Sequence, residues 1–234
     1  HWLGEYSRCR DALAGADLPW LAALREAAIR RFLAKGFPSL HDEDWKYTSV
    51  AGLEKGRFSL APDGATVVDA AVDPAQVEAL ALPGAHLLVF VDGRHAPRLS
   101  RPGELPPGVA LDSLAAVLAN PPERVEAELI RLAQPERDAS AFSALNAACT
   151  SDGACLLLPA GARIEEPIHL LFLAATPEAA VHSRNLVLAG ADSSARIVEH
   201  HAALGEPRQF TNAVTHIALG TGARIEHHKL QQES

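Results

Sequence analysis

Methionine is absent from all 234 residues, the first position included. The chain is therefore expected to begin inside a longer gene product, or to have had its methionines replaced. Cysteine is scarce. Cys9, Cys149 and Cys155 make an odd set with no disulfide framework, which points to a reducing compartment, the cytoplasm. Long apolar runs are missing too. Stretches such as Leu170 to Ala175 are far too short to span a bilayer. No secretory leader and no lipidation signature is visible. Positive charge is also short, with a net charge of −8; residues to 150 carry 15 basic and 20 acidic side chains, and those after it 6 and 9. Neither part offers a basic face for nucleic acid or an anionic membrane. What is abundant is apolar side chain, 48% against 21% charged, enough to fill one large core or two small ones.

The residues to 150 read as a mixed, mostly helical domain. Residues 17 to 36 carry a helical pattern (Leu21, Leu24, Ala28, Phe32, Leu33) with Asp17 as N-cap, Pro19 in the first turn and Gly36 at the end. Ser39 and Asp42 form a capping-box pattern that opens a second helix bearing Leu40, Tyr47, Val50 and Ala51 on one side. Residues 65 to 72 suit a short strand, Pro74 to Leu82 a helix, and Leu87 to Val91 an apolar strand closed by the hairpin pair Asp92-Gly93. Helices follow over 112 to 119, 122 to 133 and 139 to 149.

After Ala154 short apolar runs alternate with turn residues. Ala162-Arg163-Ile164 recurs as Ala195-Arg196-Ile197 and Ala223-Arg224-Ile225, 33 and 28 residues apart. A repeat in this range built from strands predicts a right-handed parallel β-helix, a solenoid over 151–234 with Ile164, Ile197 and Ile225 turned inward. The strand character of His227 to Ser234 runs to the last residue without a polar cap. The solenoid is therefore expected to be incomplete at the C-terminus, with an open edge suited to association.

Candidate chemistry is sparse. Glu43-Asp44-Trp45-Lys46-Tyr47-Thr48 is the most distinctive string, and it reads as a packing helix with buried aromatics and exposed acids. His200-His201 and His227-His228 adjoin Glu199 and Glu226, which invites a metal site. Neighbouring residues on a strand face opposite ways, so a site would need Glu199 with His201, or Glu226 with His228, plus a ligand from the next strand. Cys149 and Cys155, with five residues between them, lack zinc or redox spacing and read as small buried apolar residues. Neither a Gly-x-Ser-x-Gly elbow nor a P-loop occurs. A β-helical enzyme acting on polysaccharide is the alternative. It requires clustered carboxylates, and beyond residue 166 no two acids lie within six residues of each other. A cupin-type, histidine-dependent metal protein is a third reading.

The order and spacing of several strings resemble the SufB/SufD family of the bacterial SUF iron–sulfur cluster assembly system. These are Glu43-Asp44-Trp45-Lys46-Tyr47-Thr48 after Gly36-Phe37-Pro38, then Phe142-x-x-Leu145-Asn146 and Asp152-Gly153. Pro159-x-Gly161, Pro167-Ile168, Asn212 and Gln231-x-Glu233-Ser234 follow. The Trp-Lys-Tyr-Thr string is similar to the SufD branch. The resemblance implies a helical N-terminal domain, a parallel β-helix and a C-terminal helical domain. It also implies a non-enzymatic scaffold whose partners are a SufB-like paralogue and a SufC-like ATPase, with a homodimer as a further arrangement. No cofactor is expected in this chain. No catalytic, cofactor-binding or metal-ligating residue is carried over, since the family's functional histidine and its SufC-binding helices lie later in the protein. His200, His201, His227 and His228 do not stand in for that histidine.

Overall fold

Prolines, glycines and short polar caps set the ends of most elements in the computed structural model, which describes residues 1–60, 72–133 and 140–233. The helices are α1 (Trp2–Cys9), α2 (Pro19–Lys35), α3 (Ala51–Lys55), α4 (Pro74–Leu80), α5 (Leu114–Leu118), α6 (Glu123–Leu132) and α7 (Ala141–Cys149). The strands are β1 (Ser59–Leu60), β2 (His86–Val91), β3 (Arg94–His95), β4 (Ala110–Ser113), β5 (Ala154–Leu158), β6 (Ile168–Ala174), β7 (Ala179–Val181), β8 (Arg184–Ala189), β9 (Ser194–Ala203), β10 (Phe210–Thr211), β11 (Val214–Leu219) and β12 (Arg224–Gln232). Pro19 opens α2, and the Gly36 amide closes it on the Phe32 carbonyl; Leu18, not Asp17, is its N-cap. Asp73 caps α4 and Ser113 caps α5 through their side-chain oxygens. Asp92 and Gly93, at φ 46° and 75°, make the hairpin between β2 and β3. The strand expected over 65 to 72 lies, but for Val72, outside the described residues.

Three sheets form among the described residues: β12-β9-β6-β2-β3, β11-β8-β5-β4 and β1-β7-β10. Pairing is parallel except between β2 and β3 and between β4 and β5. The two larger sheets face each other across a core of Leu88, Phe90, Leu156, Leu158, Ile168, Leu170, Phe172, Val187 and Ile197. Helices α5 and α6 cover the outer face of the β5/β8 sheet through Leu114, Leu118, Val125 and Leu129. Val77 of α4 and Leu99 cover the outer face of the β2/β6 sheet. A further cluster joins α1, α2 and α7 to Phe58, Leu60 and Phe210.

The expected fold class, a mostly helical N-terminal domain followed by an incomplete right-handed parallel β-helix, is corrected by these sheets. The architecture is mixed α/β, with parallel and mixed sheets and no closed solenoid among the described residues. The physical reason lies in two apolar strands before residue 150. Leu87 to Val91 is fully buried and pairs in parallel with β6, and β4 pairs antiparallel with β5. Both sheets are therefore built from the two halves of the chain together, and antiparallel strands end them on one side.

The Ala-Arg-Ile triplets do not stack in step. Ile225 lies opposite Ala195, Ile197 opposite Ile168 and His227, and Arg163 bridges to Ser194. The slip is by an even number of residues, which keeps a side chain on its own face. Ile164 and Ile197 are accordingly buried, and Ile225 packs half-buried against the same core.

Candidate functional site

The inward face of the β12-β9-β6-β2 sheet changes character from one strand to the next. On β2 and β6 it carries Leu88, Phe90, Ile168, Leu170 and Phe172. On β9 and β12 the same face carries Glu199 and His201, with Lys229 opposite Glu199 and Gln231 opposite His201. An apolar interior thus becomes a polar one within two strand spacings. Phe90, Phe172 and His201 form a ring stack down this face, with centroids 4.8 Å apart at each step.

Glu199 is the hub of the polar segment and has no exposed surface. Its Oε1 accepts from His201 Nε2 at 2.8 Å and lies 3.2 Å from Lys229 Nζ. Its Oε2 accepts from Thr215 Oγ1 of β11 and from His227 Nε2 at 3.0 Å. Burial alone would raise its pKa. The His201 and Thr215 hydrogen bonds and the charge of Lys229 outweigh burial and hold the carboxyl well below the usual range. Four donors fill the lone pairs of one carboxylate. Among the described residues no group of three His, Cys, Asp or Glu side chains has a metal-holding arrangement.

The histidine pairs divide between the two faces of their strands. His201 and His227 point in toward Glu199, while His200 faces outward with His169. On that outer side a linear chain runs from the Leu82 amide to His169 Nδ1 (3.2 Å), from His169 Nε2 to His200 Nδ1 (3.3 Å), and from His200 Nε2 to Gln232 Oε1 (2.8 Å). The Leu82 N–H can only donate, so His169 carries its proton on Nε2. His200 then accepts on Nδ1 and donates from Nε2 to the Gln232 carbonyl oxygen. Burial and the neighbouring His200 push the His169 pKa down to about 4, which favours this neutral arrangement.

Beside the hub lies an open cleft of about 580 Å³. Trp45, Phe142 and Phe210 line one side, and His201, Lys229 and Glu233 line another. Behind the lining residues Phe142 and Asn212, Asn146 on α7 is fully buried and donates to the Ser183 and Asn212 carbonyls at 2.8 and 2.7 Å. Arg184 Nε donates to Asn146 Oδ1 at 2.9 Å, and Asn212 Nδ2 donates to the Phe142 carbonyl at 2.9 Å. Asp152 ties a neighbouring turn by accepting from the Ala115, His95 and Gly153 amides, although burial pushes its carboxyl pKa up. Gly153 has no substitute there, since a Cβ would lie 2.0 Å from the Arg184 carbonyl oxygen.

The expected packing helix around Trp45 and Tyr47 is corrected. Only a 3-10 turn, Glu43–Trp45, forms, so the two rings do not share a helix face. Trp45 is half-buried against Phe142, with ring centroids 5.0 Å apart, whereas Tyr47 is 91% exposed. Glu43 and Asp44 are exposed. The three cysteines are buried and form no disulfide among the described residues, and burial raises Cys149 and Cys155 to about 12, so neither supplies a thiolate. Sequence reasoning joined Glu199 to His201 and missed Thr215 and Lys229. Lys229 comes from β12, whose register with β9 only the sheet reveals, and Thr215 from β11 in the facing sheet.

Two family models match the chain in succession. The SufBD protein N-terminal region matches residues 1–170, and the SufBD core domain of the SUF system for FeS cluster assembly matches residues 172–234. An iron–sulfur cluster assembly SufBD family protein of Synechocystis is 29% identical over 234 residues, covering 95% of this chain and 50% of the relative. The iron–sulfur cluster assembly protein SufD of Escherichia coli is 27% identical over 213 residues, covering 88% of this chain and 45% of the relative. The chain spans about half the length of these curated relatives.

Proposed function

The chain belongs to the SufB/SufD family, and from that premise we propose that it serves as a scaffold subunit of an iron–sulfur cluster assembly complex. In this reading it performs no catalysis of its own and works in the cytoplasm. It acts by binding a SufB-like paralogue and a SufC-like ATPase. The carrying observation is the pair of family matches, which together account for residues 1–170 and 172–234. The buried thiols agree with a part that positions others, because neither Cys149 nor Cys155 is activated for sulfur chemistry. Among the described residues no helix is long and apolar enough to cross a membrane.

The test is co-expression of the gene product containing this sequence with the SufB and SufC proteins of the same genome. Affinity capture of this subunit is expected to retain both partners through gel filtration, and the subunit purified alone should hydrolyse no ATP. Capture of neither partner contradicts the reading.

A further inference from the structure

The Ala-Arg-Ile repeat places its isoleucines in the core, and its arginines have no role in the assembly reading. The strand register brings those arginines together. Arg224 lies opposite Ser194, and Arg163 bridges to Ser194 from the other side. Arg196, two residues beyond Ser194 on the same face, lies opposite Glu226. All three guanidinium-bearing residues, with Ser194, Glu165 and Glu226, line one surface concavity of about 390 Å³. We propose that this concavity is a binding site for a phosphate-sized oxyanion, either free phosphate or a phosphoryl group carried by a larger ligand.

Three observations support the site. First, the arginines are uncommitted. Among the described residues neither Arg163 nor Arg224 makes a side-chain hydrogen bond or an ion pair, and Arg196 donates only to the Glu165 main-chain carbonyl at 2.9 Å. Glu165 and Glu226 line the same concavity and neutralise none of the three by contact. Second, the clustering is not a by-product of general basicity. The chain carries a net charge of −8, and three of the 6 basic residues after position 150 converge here. Third, the geometry suits the ligand. Neighbouring strands lie about 4.8 Å apart, so Arg163 and Arg224 flank Ser194 at roughly twice that spacing. Two guanidinium forks can close from opposite sides on a tetrahedral anion, with the Ser194 hydroxyl beneath it as a further donor. The two glutamates in the concavity lower the affinity and disfavour larger, more highly charged anions.

The site is independent of the assembly reading, and its test uses no SUF partner. Backbone amide resonances of the gene product are followed during titration with sodium phosphate and, separately, with sodium chloride at matched ionic strength. Phosphate is expected to give saturable shifts at low millimolar concentration, confined to residues near 163, 194–196 and 224–226. The double variant Arg163→Gln with Arg224→Gln should lose at least tenfold in affinity. The variant Arg30→Gln, at an exposed position on α2, should bind as the parent does. A parallel titration with phenyl phosphate separates the two sources: tighter binding than phosphate identifies a phosphoryl group carried by a larger ligand, and weaker binding identifies free phosphate. Shifts that chloride reproduces, or that persist in the double variant while its remaining spectrum stays that of a folded protein, overturn the proposal.

Discussion

Glu199 gathers four donors on one buried carboxylate, so single substitutions there have a definite sign. Glu199→Ala removes the carboxylate and leaves Lys229, His201 and His227 facing an unfilled polar space. Breaking a buried ionic group in this way costs about 3–5 kcal/mol, measurable as a lower urea midpoint. Glu199→Gln keeps the shape and some of the hydrogen bonds, so it should cost less. The folded-state pKa of Glu199 is depressed. Its contribution is therefore complete above the ordinary carboxylate pKa and is lost as pH falls below it toward the folded value. At Tyr47, 91% exposed, replacement by alanine should change stability by no more than about 0.5 kcal/mol. The contrast with Trp45 was not legible in the sequence. The capping pattern at Ser39 and Asp42 does form, with the Ser39 amide 2.7 Å from Asp42 Oδ2, yet it closes a turn and no helix continues from it. A cap satisfies a few donors, but a helix also needs a buried face, and most side chains from Leu40 to Ser49 are exposed.

At the scale of elements, β12 is tied to β9 from both of its faces. Inward, His227 and Lys229 meet Glu199; outward, Gln232 accepts from His200. The inward contacts join imidazole N–H groups to a carboxylate held well below the usual pKa range. In the outward chain a proton added to His169 Nδ1 would confront the Leu82 amide proton and break that hydrogen bond. The groups facing this pair are the Leu82 amide and Gln232, and no charged side chain hydrogen-bonds to it among the described residues. His169 has a folded pKa of about 4 against an ordinary 6.5. A lowered histidine pKa means that its stabilising neutral form is fully available above pH 6.5. That stability is lost as pH falls from 6.5 toward 4. Hydrogen exchange of the amides in 224–232 should therefore accelerate across this interval, after correction for intrinsic rates. His169→Gln, which removes the titrating ring, should flatten the dependence. An exchange profile with the same pH dependence in parent and variant would contradict the chain of proton positions.

The elements themselves were legible to different degrees. Strand β2, α4 to α7 and the Asp92-Gly93 hairpin follow from local patterns, because capping, turn chemistry and apolar runs act over a few residues. Sheet membership did not follow. Nothing local states that Leu87 to Val91 pairs with β6, some eighty positions later, and that pairing separates the observed mixed sheets from the expected solenoid. The Ala-Arg-Ile repeat was real as a facing pattern and misleading as a register. Side-chain alternation fixes which way Ile197 points, while backbone pairing places Ile168 and not Ile164 opposite it.

For the whole molecule, the family signal in the sequence was distributed and structural. Asn146 and Asn212 make hydrogen bonds with main-chain groups that hold α7 against the strands, and Asp152 accepts main-chain amides from β3 and α5. Gly153→Ala should abolish or severely impair folding, read as loss of soluble protein, because the added carbon meets the backbone of Arg184. Residues that bind main-chain groups in this way fix the architecture on which the proposed association with other subunits rests. Native mass spectrometry of the gene product co-expressed with its genome's SufB and SufC proteins tests that claim most directly. The account predicts one dominant species whose mass contains all three polypeptides, unchanged in composition by Glu43→Gln or by replacing any of the three buried cysteines with serine in a folded variant. A spectrum holding this subunit only as a free monomer or with copies of itself, while SufB and SufC associate without it, would contradict the account.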